Sequence, residues 1–321
     1  MKHVCDVLNI RYPIIQGGMG NISNAPLAAA VSEAGGLGTI GAGTMTPEEL
    51  EPIIMETKER TDRPFAVNVA IKVTPYLQEI MELIIKHDVP VVSLSAGNPA
   101  PLIPRLKEHG KKIITVTASV KQAVKAEQAG ADVIVAEGYE AAGINSNLEL
   151  TTLTLIPQIV DAVDLPVLAA GGIGDGRGLA AVLTLGASGV QMGTRLIATQ
   201  EAPFHEAYKR TLIEAHENDT IIVGRSVGRV RRVMNTPYSQ KLLDYEKDGV
   251  PLEQFNEMTS EDHHKIGALE GRLEEGFING GQVSGLVSDV PTVAELIESM
   301  MDVAYARIDQ LHKNFLSTYV K

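Results

Sequence analysis

Between Ala169 and Arg195 the chain reads AAGGIGDGRGLAAVLTLGASGVQMGTR, in which two short apolar runs each end directly in a glycine turn. Val167–Ala170 leads into Gly171-Gly172-Ile173-Gly174, a turn without Cβ atoms at three of its four positions, and Gly189–Met192 leads into Gly193-Thr194. Leu179–Leu185 between them is spaced as a small-residue helix, with Gly186 placed to end it. Missing side chains let backbone N–H groups approach a ligand closely and let the chain adopt positive φ. Two such turns at the carboxyl ends of neighbouring parallel strands, with a hydroxyl beside them, offer what a phosphate group needs. The dinucleotide fingerprint GxGxxG is not met. Gly172-Ile173-Gly174-Asp175-Gly176 has the wrong spacing, and no acidic residue ends a strand about 20 positions further on.

Six similar units precede this stretch. Tyr12–Gln16, Leu37–Ile40, Pro64–Val69, Pro90–Leu94, Lys112–Val116 and Asp132–Ala136 are apolar runs of strand length. Helical segments alternate with them: Asn24–Ala34, a helix opening at Thr46-Pro47-Glu48-Glu49, Pro75–Lys86, Pro101–His109, Val120–Gln128 and Thr151–Val163. Eight strands alternating with helices predict an α/β chain folded as a TIM (β/α)8 barrel, where phosphate sites commonly follow the last two strands. Aromatic residues are only 4% and Trp is absent, so the core must be Val, Ile, Leu and Ala, which suits buried parallel strands. Glu201–Gly285 breaks the rhythm: it is richer in charge and reads as several helices with few strands. The expected organisation is a barrel over 1–200, a helical insertion over 201–285 that follows strand eight and covers the mouth, and a closing amphipathic helix, Pro291–His312, within 286–321.

A formal net charge of −12 argues against nucleic acid as a partner. The single Cys5 excludes a disulfide within the chain and a cysteine-only metal cluster, and fits a reducing cytoplasm. No apolar run approaches the roughly 18 residues of a membrane span, and MKHVCDVLNI has no signal-peptide pattern. A cytoplasmic protein without a membrane partner is expected. The basic run Arg225–Arg232, within GRSVGRVRR, reads as a surface cluster balancing an acidic chain. His87, His109 and His312 fall on helices and are expected at the surface. His205, His263 and His264 lie in the insertion, within reach of the mouth, but a solvated helix face is expected for them too.

Taken together, YPIIQGGMG, AAVSEAGGLGTIGAG, the VNV of the third strand, AGNP, AEGYEAAG, LPVLAAGGIGDGRG and GVQMGTR resemble the nitronate monooxygenase family, formerly called 2-nitropropane dioxygenases. That family includes the flavin-dependent enoyl-acyl-carrier-protein reductase of type II. The resemblance runs from about Val4 to the closing helix and implies a TIM barrel holding non-covalent FMN. It implies that Gly17, Gly18 and Met19 lie against the isoalloxazine edge through backbone groups, and that Asn68 donates to the ring's polar edge. Gly171, Gly172, Gly193 and Thr194 would hold the phosphate, and Gln191 would bond flavin or ribityl. Gly281 and Gln282, in GGQVSGLV, resemble a loop returning over flavin and substrate. The related IMP dehydrogenase barrels share AAGGI but need a nucleophilic Cys after strand six, and this chain has only Cys5.

After strand six many members of the family carry a GGH-type segment whose His is the proposed base or substrate-orienting group. Here Ala141–Glu149 has Ile144 or Asn145 in that place. Asn145 can donate and accept hydrogen bonds but cannot take a proton, so activity on pre-formed nitronates or a quinone is expected to exceed activity on neutral nitroalkanes. Glu137 and Glu140 are the other catalytic candidates, since burial against a flavin would raise a carboxyl pKa. No metal site is expected. The resemblance implies oxidation of alkyl nitronates with O2. The alternatives are an enoyl-acyl-carrier-protein reductase acting on an acyl thioester, or a quinone reductase, each with NAD(P)H as electron donor. From another class, a flavin-binding protein without turnover remains, and a homodimer is compatible with every reading.

Overall fold

Each of the eight apolar runs is too short for a stable helix and carries at least one β-branched residue, and most are followed by a turn and a longer helical segment that packs back on the strands. A computed structural model describes residues 3–319. Its strands begin with β1 (Ile14–Gln16), β2 (Gly38–Gly41), β3 (Phe65–Ala70), β4 (Val91–Ser95), β5 (Lys112–Thr117) and β6 (Val133–Glu137). The two-residue β7 (Gly143–Ile144), β8 (Val167–Ala170) and β9 (Gly189–Met192) follow. All but β7 pair in parallel, in the order β1-β9-β8-β6-β5-β4-β3-β2. The two free edges meet. A parallel bridge joins Ile15 to Leu37, the Gln16 N–H donates to the Leu37 carbonyl at 2.9 Å, and the Leu37 N–H donates to the Ile14 carbonyl at 3.0 Å. The ring is the expected TIM barrel.

Strand side chains alternate across the ring with period two. Ile15, Val133, Val135 and Leu168 point inward and form one buried cluster with Val4 and Leu8 of helix α1 (Val4–Leu8). That helix, for which the sequence reading had no expectation, plugs the ring. Ile14, Ile134 and Val190 point outward and pack under the surrounding helices. The helices are α2 (Ala25–Glu33), α3 (Pro47–Arg60), α4 (Leu77–Lys86), α5 (Ile103–Glu108), α6 (Val120–Gln128), α7 (Thr152–Val160) and α8 (Gly176–Thr184). Helix α8 starts three residues before the expected Leu179 because Asp175 caps it, accepting from the Arg177 N–H at 2.8 Å.

Helix α3 opens with the expected capping box: the Glu49 N–H donates to Thr46 Oγ1 at 3.3 Å, and the Thr46 N–H donates to Glu49 Oε2 at 2.8 Å. Thr46→Ala is expected to lose about 1 kcal/mol of stability. A urea melt followed by circular dichroism measures it, and an unchanged midpoint would mean that the box is idle in solution.

After β9 come α9 (Thr194–Ile197), α10 (Glu206–Ile213), β10 (Thr220–Val223), β11 (Arg231–Met234), α11 (Pro237–Lys247), α12 (Leu252–Met258), α13 (Glu261–Ala268) and α14 (Val293–Tyr319). Helix α14 lies across α8 so closely that a Cβ on Gly176 would fall 2.3 Å from the Met300 carbonyl. The insertion holds more than helices. β10 and β11 pair antiparallel, and β11 pairs with β7 of the barrel's own loop, Arg231 opposite Ile144 and Arg232 opposite Gly143. This small sheet encloses its own core of Val223, Val233, Tyr238, Leu242, Phe255 and Phe277. Two arginines in a four-residue strand obscure its alternation, and a two-residue strand has none to read. Among the described residues no helix is long and apolar enough to cross a membrane.

Candidate active site

The carboxyl ends of all eight barrel strands open into one cavity of about 1330 Å³. Residues 17–20, 95–99, 170–173 and 192–194 form much of its floor, and β11, α13 and the segment Asn279–Val283 form its roof. Polar contacts tie the segments after α13 to the barrel. Thr194 Oγ1 accepts the Gly281 N–H at 3.0 Å, and the Arg195 guanidinium donates to Asp289 Oδ1 at 2.5 Å.

The glycine turns of the floor behave as their sequence suggests. Gly171 and Gly172 have φ of +94° and +75°, which L-residues with side chains rarely adopt. A Cβ on Gly193 would meet nothing within 4 Å, so the backbone there faces open space. Among the described residues, the N–H groups of Gly171, Gly172, Gly193 and Thr194 make no hydrogen bond to protein. The Thr194 hydroxyl, accepting from Gly281, retains its own proton to donate. Four unspent N–H donors and a hydroxyl on one cavity wall suit a dianionic phosphate.

Gly17, Gly18 and Met19 line the cavity beside the Gly193-Thr194 turn, since β1 pairs with β9 and the Gly17 N–H donates to the Met192 carbonyl at 2.8 Å. A Cβ on Gly18 would fall 2.6 Å from Asn68 Cβ, so only glycine lets this backbone run past Asn68. Asn68 also lines the cavity, but its amide is already held: Nδ2 donates to Ser93 Oγ at 3.1 Å and to Ser95 Oγ at 3.2 Å. The two serines sit on β4 in register with β3, a relation that strand pairing creates and local sequence does not display. Gln191 lines the cavity beside Gly17, and its side-chain amide has no hydrogen bond among the described residues.

The three catalytic candidates separate. Glu137, at the end of β6, faces the cavity with neither a hydrogen bond nor an ion pair among the described residues, and burial pushes its carboxyl up to about 7. Glu140 is engaged elsewhere. Its Oε2 accepts both the Thr152 N–H at 2.9 Å and the Thr152 hydroxyl at 3.0 Å, so it caps the start of α7, where Thr151 provides no side-chain cap. Glu140 lines the cavity as well, but its carboxylate is committed to Thr152 where that of Glu137 is not. Asn145 lines the cavity, with Nδ2 donating to the Ala141 carbonyl at 2.8 Å.

Three other expectations change. The Gln282 side chain is exposed to solvent and is not part of the cavity wall; its N–H donates to the Glu140 carbonyl at 2.9 Å, while Gly281 and Val283 on either side face inward. A tight 3-10 turn over Gln282–Leu286 sets that alternation. His264 is not on a solvated face. It is 2% exposed, stacks on Phe277 with ring centroids 5.1 Å apart, and accepts at Nε2 from Asn279 Nδ2 at 3.1 Å. Its partner Glu261, which accepts the Asn21 N–H at 3.1 Å, is held at about 2: burial opposes ionisation, but His264, Arg231 and that N–H outweigh it.

Nor is the basic run a simple surface cluster. Arg232 is buried, donating through Nε and Nη2 to the Tyr139 carbonyl at 3.1 Å and through Nη1 to Thr220 Oγ1 at 3.1 Å, while Arg231 lines the cavity. Pairing of β11 with β7 draws them in. Arg225 does stay at the surface, 3.0 Å from Glu149. His205 is exposed and caps α10, and His109 and His312 are exposed; His87 is half-buried, 2.6 Å from Glu51. Among the described residues no group of three or more His, Cys, Asp or Glu is placed to hold a metal.

The family model for nitronate monooxygenase matches residues 2–79 and 70–302. The chain is 36% identical to a Staphylococcus aureus protein named probable nitronate monooxygenase, over 90% of this chain and 94% of that one. It is 33% identical to an octahydroindene-carboxyl-CoA dehydrogenase of Rhodococcus jostii, over 95% of this chain and 96% of that one. Among solved structures, FabK from Thermotoga maritima superposes with a TM-score of 0.93 at 40% identity, covering 98% of this chain and 99% of that one.

Proposed function

The chain belongs to the nitronate monooxygenase family, a family of oxidoreductases, and from that premise we propose that it is an FMN-dependent enzyme that oxidises alkyl nitronates with O2. The observation that carries the reading is the shared cavity: unspent N–H donors at two glycine turns on one wall, and a carboxyl near neutral pKa on the floor. Gly171, Gly172, Gly193 and Thr194 would hold the phosphate of FMN. Gly17, Gly18, Met19 and Gln191 would lie along the ring and ribityl, and Asn68 would have to give up one serine to reach it. Bound there, the flavin supplies the electron transfer and oxygen chemistry.

The remaining work falls to the chain's own side chains. Glu137 is poised to take a proton from a substrate carbon, because a base with a pKa near the working pH is both ionised and basic enough. Asn145 orients by hydrogen bonding and moves no proton. The roof formed by α13 and residues 279–283 covers part of the floor.

Similarity to FabK and to a carboxyl-CoA dehydrogenase favours one second reading, NAD(P)H-dependent reduction of an enoyl thioester. A flavin spectrum separates the two. The purified protein is expected to be yellow and to release FMN, not FAD, on denaturation. Anaerobic addition of ethyl nitronate alone should bleach it. Bleaching by NAD(P)H but not by nitronate would establish the reductase in its place. Bleaching by neither would leave a flavin-binding protein, and a colourless protein indifferent to added FMN would overturn the cofactor assignment.

A further inference from the structure

The arginines of β11 have opposite fates. Arg232 spends its guanidinium on the Tyr139 carbonyl and Thr220. Arg231, one residue earlier, points to the other face of the strand and lines the cavity. Among the described residues no carboxylate lies within 4.0 Å of its guanidinium, and none of its five N–H donors is hydrogen-bonded. It is half-buried, and its Cζ sits 4.9 Å above the Phe277 ring. A guanidinium taken out of bulk water without a partner is costly to hold, and a ligand anion is what would relieve it.

We propose that Arg231 is the anion-binding residue of the cavity, and that it receives both oxygens of a small planar oxyanion, a nitronate or a carboxylate. This rests on the reading of the cavity as a substrate site and names the substrate class that the roof selects. Three observations carry it. Phe277 supports the guanidinium from one side and is itself stacked on His264 with an interplanar angle of 6°, so the fork is oriented before a ligand arrives. A pre-set planar fork matches two oxygens in one plane better than a point charge does. Glu261, the nearest acidic influence, is occupied by the Asn21 N–H at 3.1 Å and faces His264 Nδ1 at 3.5 Å. It lowers the cost of keeping a cation in the roof without closing it off. Finally, a protein of net charge −12 repels anions over most of its surface, so anionic substrates need a local cation at the site itself. Lys72, Lys125 and Arg229 also border the cavity, but all three are exposed to solvent at its mouth and hold their charge in water.

The test uses the full chain as purified with its flavin, in wild-type, Arg231→Gln and Arg231→Lys forms. Binding of propionate, ethyl nitronate, neutral nitroethane and inorganic phosphate is followed anaerobically by perturbation of the flavin spectrum and by calorimetry. Wild type is expected to bind propionate and ethyl nitronate well ahead of nitroethane. Arg231→Gln should weaken both anions by about 10-fold to 100-fold and leave nitroethane unchanged, with Arg231→Lys between the two. Flavin content and melting temperature of the variants serve as the check on folding. Equal affinity of wild type and Arg231→Gln for propionate overturns the proposal. So does preferential binding of phosphate that depends on Arg231, which would assign the roof to a phosphate-bearing carrier or nucleotide. Failure of ethyl nitronate to bleach the flavin, with propionate binding still dependent on Arg231, removes the nitronate oxidation reading and leaves the anion site standing.

Discussion

Gly172→Val is expected to leave purification without flavin, where wild type is expected to carry it stoichiometrically. Gly172 sits at φ +75°, in a region that a β-branched residue enters only at a cost of about 1–3 kcal/mol. The protein around it is not crowded: a Cβ would lie 3.5 Å from Glu140 Cβ, an ordinary contact. Substitution should therefore leave the barrel folded and move the turn, swinging the Gly171 and Gly172 N–H groups away from the phosphate and placing a branched side chain where the ligand approaches. Absorbance at the flavin band relative to total protein, together with a thermal melt, reads both effects. A variant that retains stoichiometric flavin and melts like wild type would mean that the phosphate lies elsewhere.

Glu137→Gln is expected to lower turnover of neutral nitroalkanes by about 10²–10⁴-fold while changing oxidation of pre-formed nitronates little. Nitroalkanes must first lose a carbon-bound proton and nitronates have already lost it. In wild type, the nitroalkane rate should rise with pH up to about 7 and then level, because the ionised carboxylate is the base. That limb should vanish in the variant. Stability provides a control with its own sign. A carboxyl raised from the ordinary 4.5 to about 7 by burial favours the protonated folded state, so its contribution is full below pH 4.5 and is lost as pH rises through about 7. The glutamine variant loses nothing over that window and should melt above wild type at pH 8, with the difference gone by pH 4. An unchanged nitroalkane rate in a well-folded variant would assign the proton to another group and return Asn145 and its loop to first consideration.

Much of this protein is legible from local sequence because the barrel is a repeat of local decisions. Apolar runs such as Val167–Ala170 and Val133–Glu137 declare strands by length and β-branching, and Thr46, Pro47 and Glu49 declare a helix start by capping chemistry. Each decision involves residues a few positions apart. Right-handed crossovers then leave little choice in the order of the ring. The glycine turns were readable for the same reason, since positive φ at Gly171 and Gly172 is a property of the turn itself.

What the tertiary structure decided depends on contacts between distant parts of the chain. Nothing near Glu140 in sequence announces that Thr152 will claim its carboxylate, and that bond distinguishes two apparently equivalent acids. Glu137 stays free because no donor among the described residues reaches it, which leaves desolvation unopposed. Arg231 and Arg232 are indistinguishable in a basic run until β7 pairs with β11 and directs one into the cavity and the other onto Tyr139. His264 enters the roof because α13 folds back over residues 20–22, where its neighbour Glu261 accepts the N–H of Asn21 across 240 residues of sequence. Sequence determined the scaffold and the cradle, since both follow from spacing and backbone freedom. Which charged groups remain unpaired inside that cradle is a property of three-dimensional neighbours.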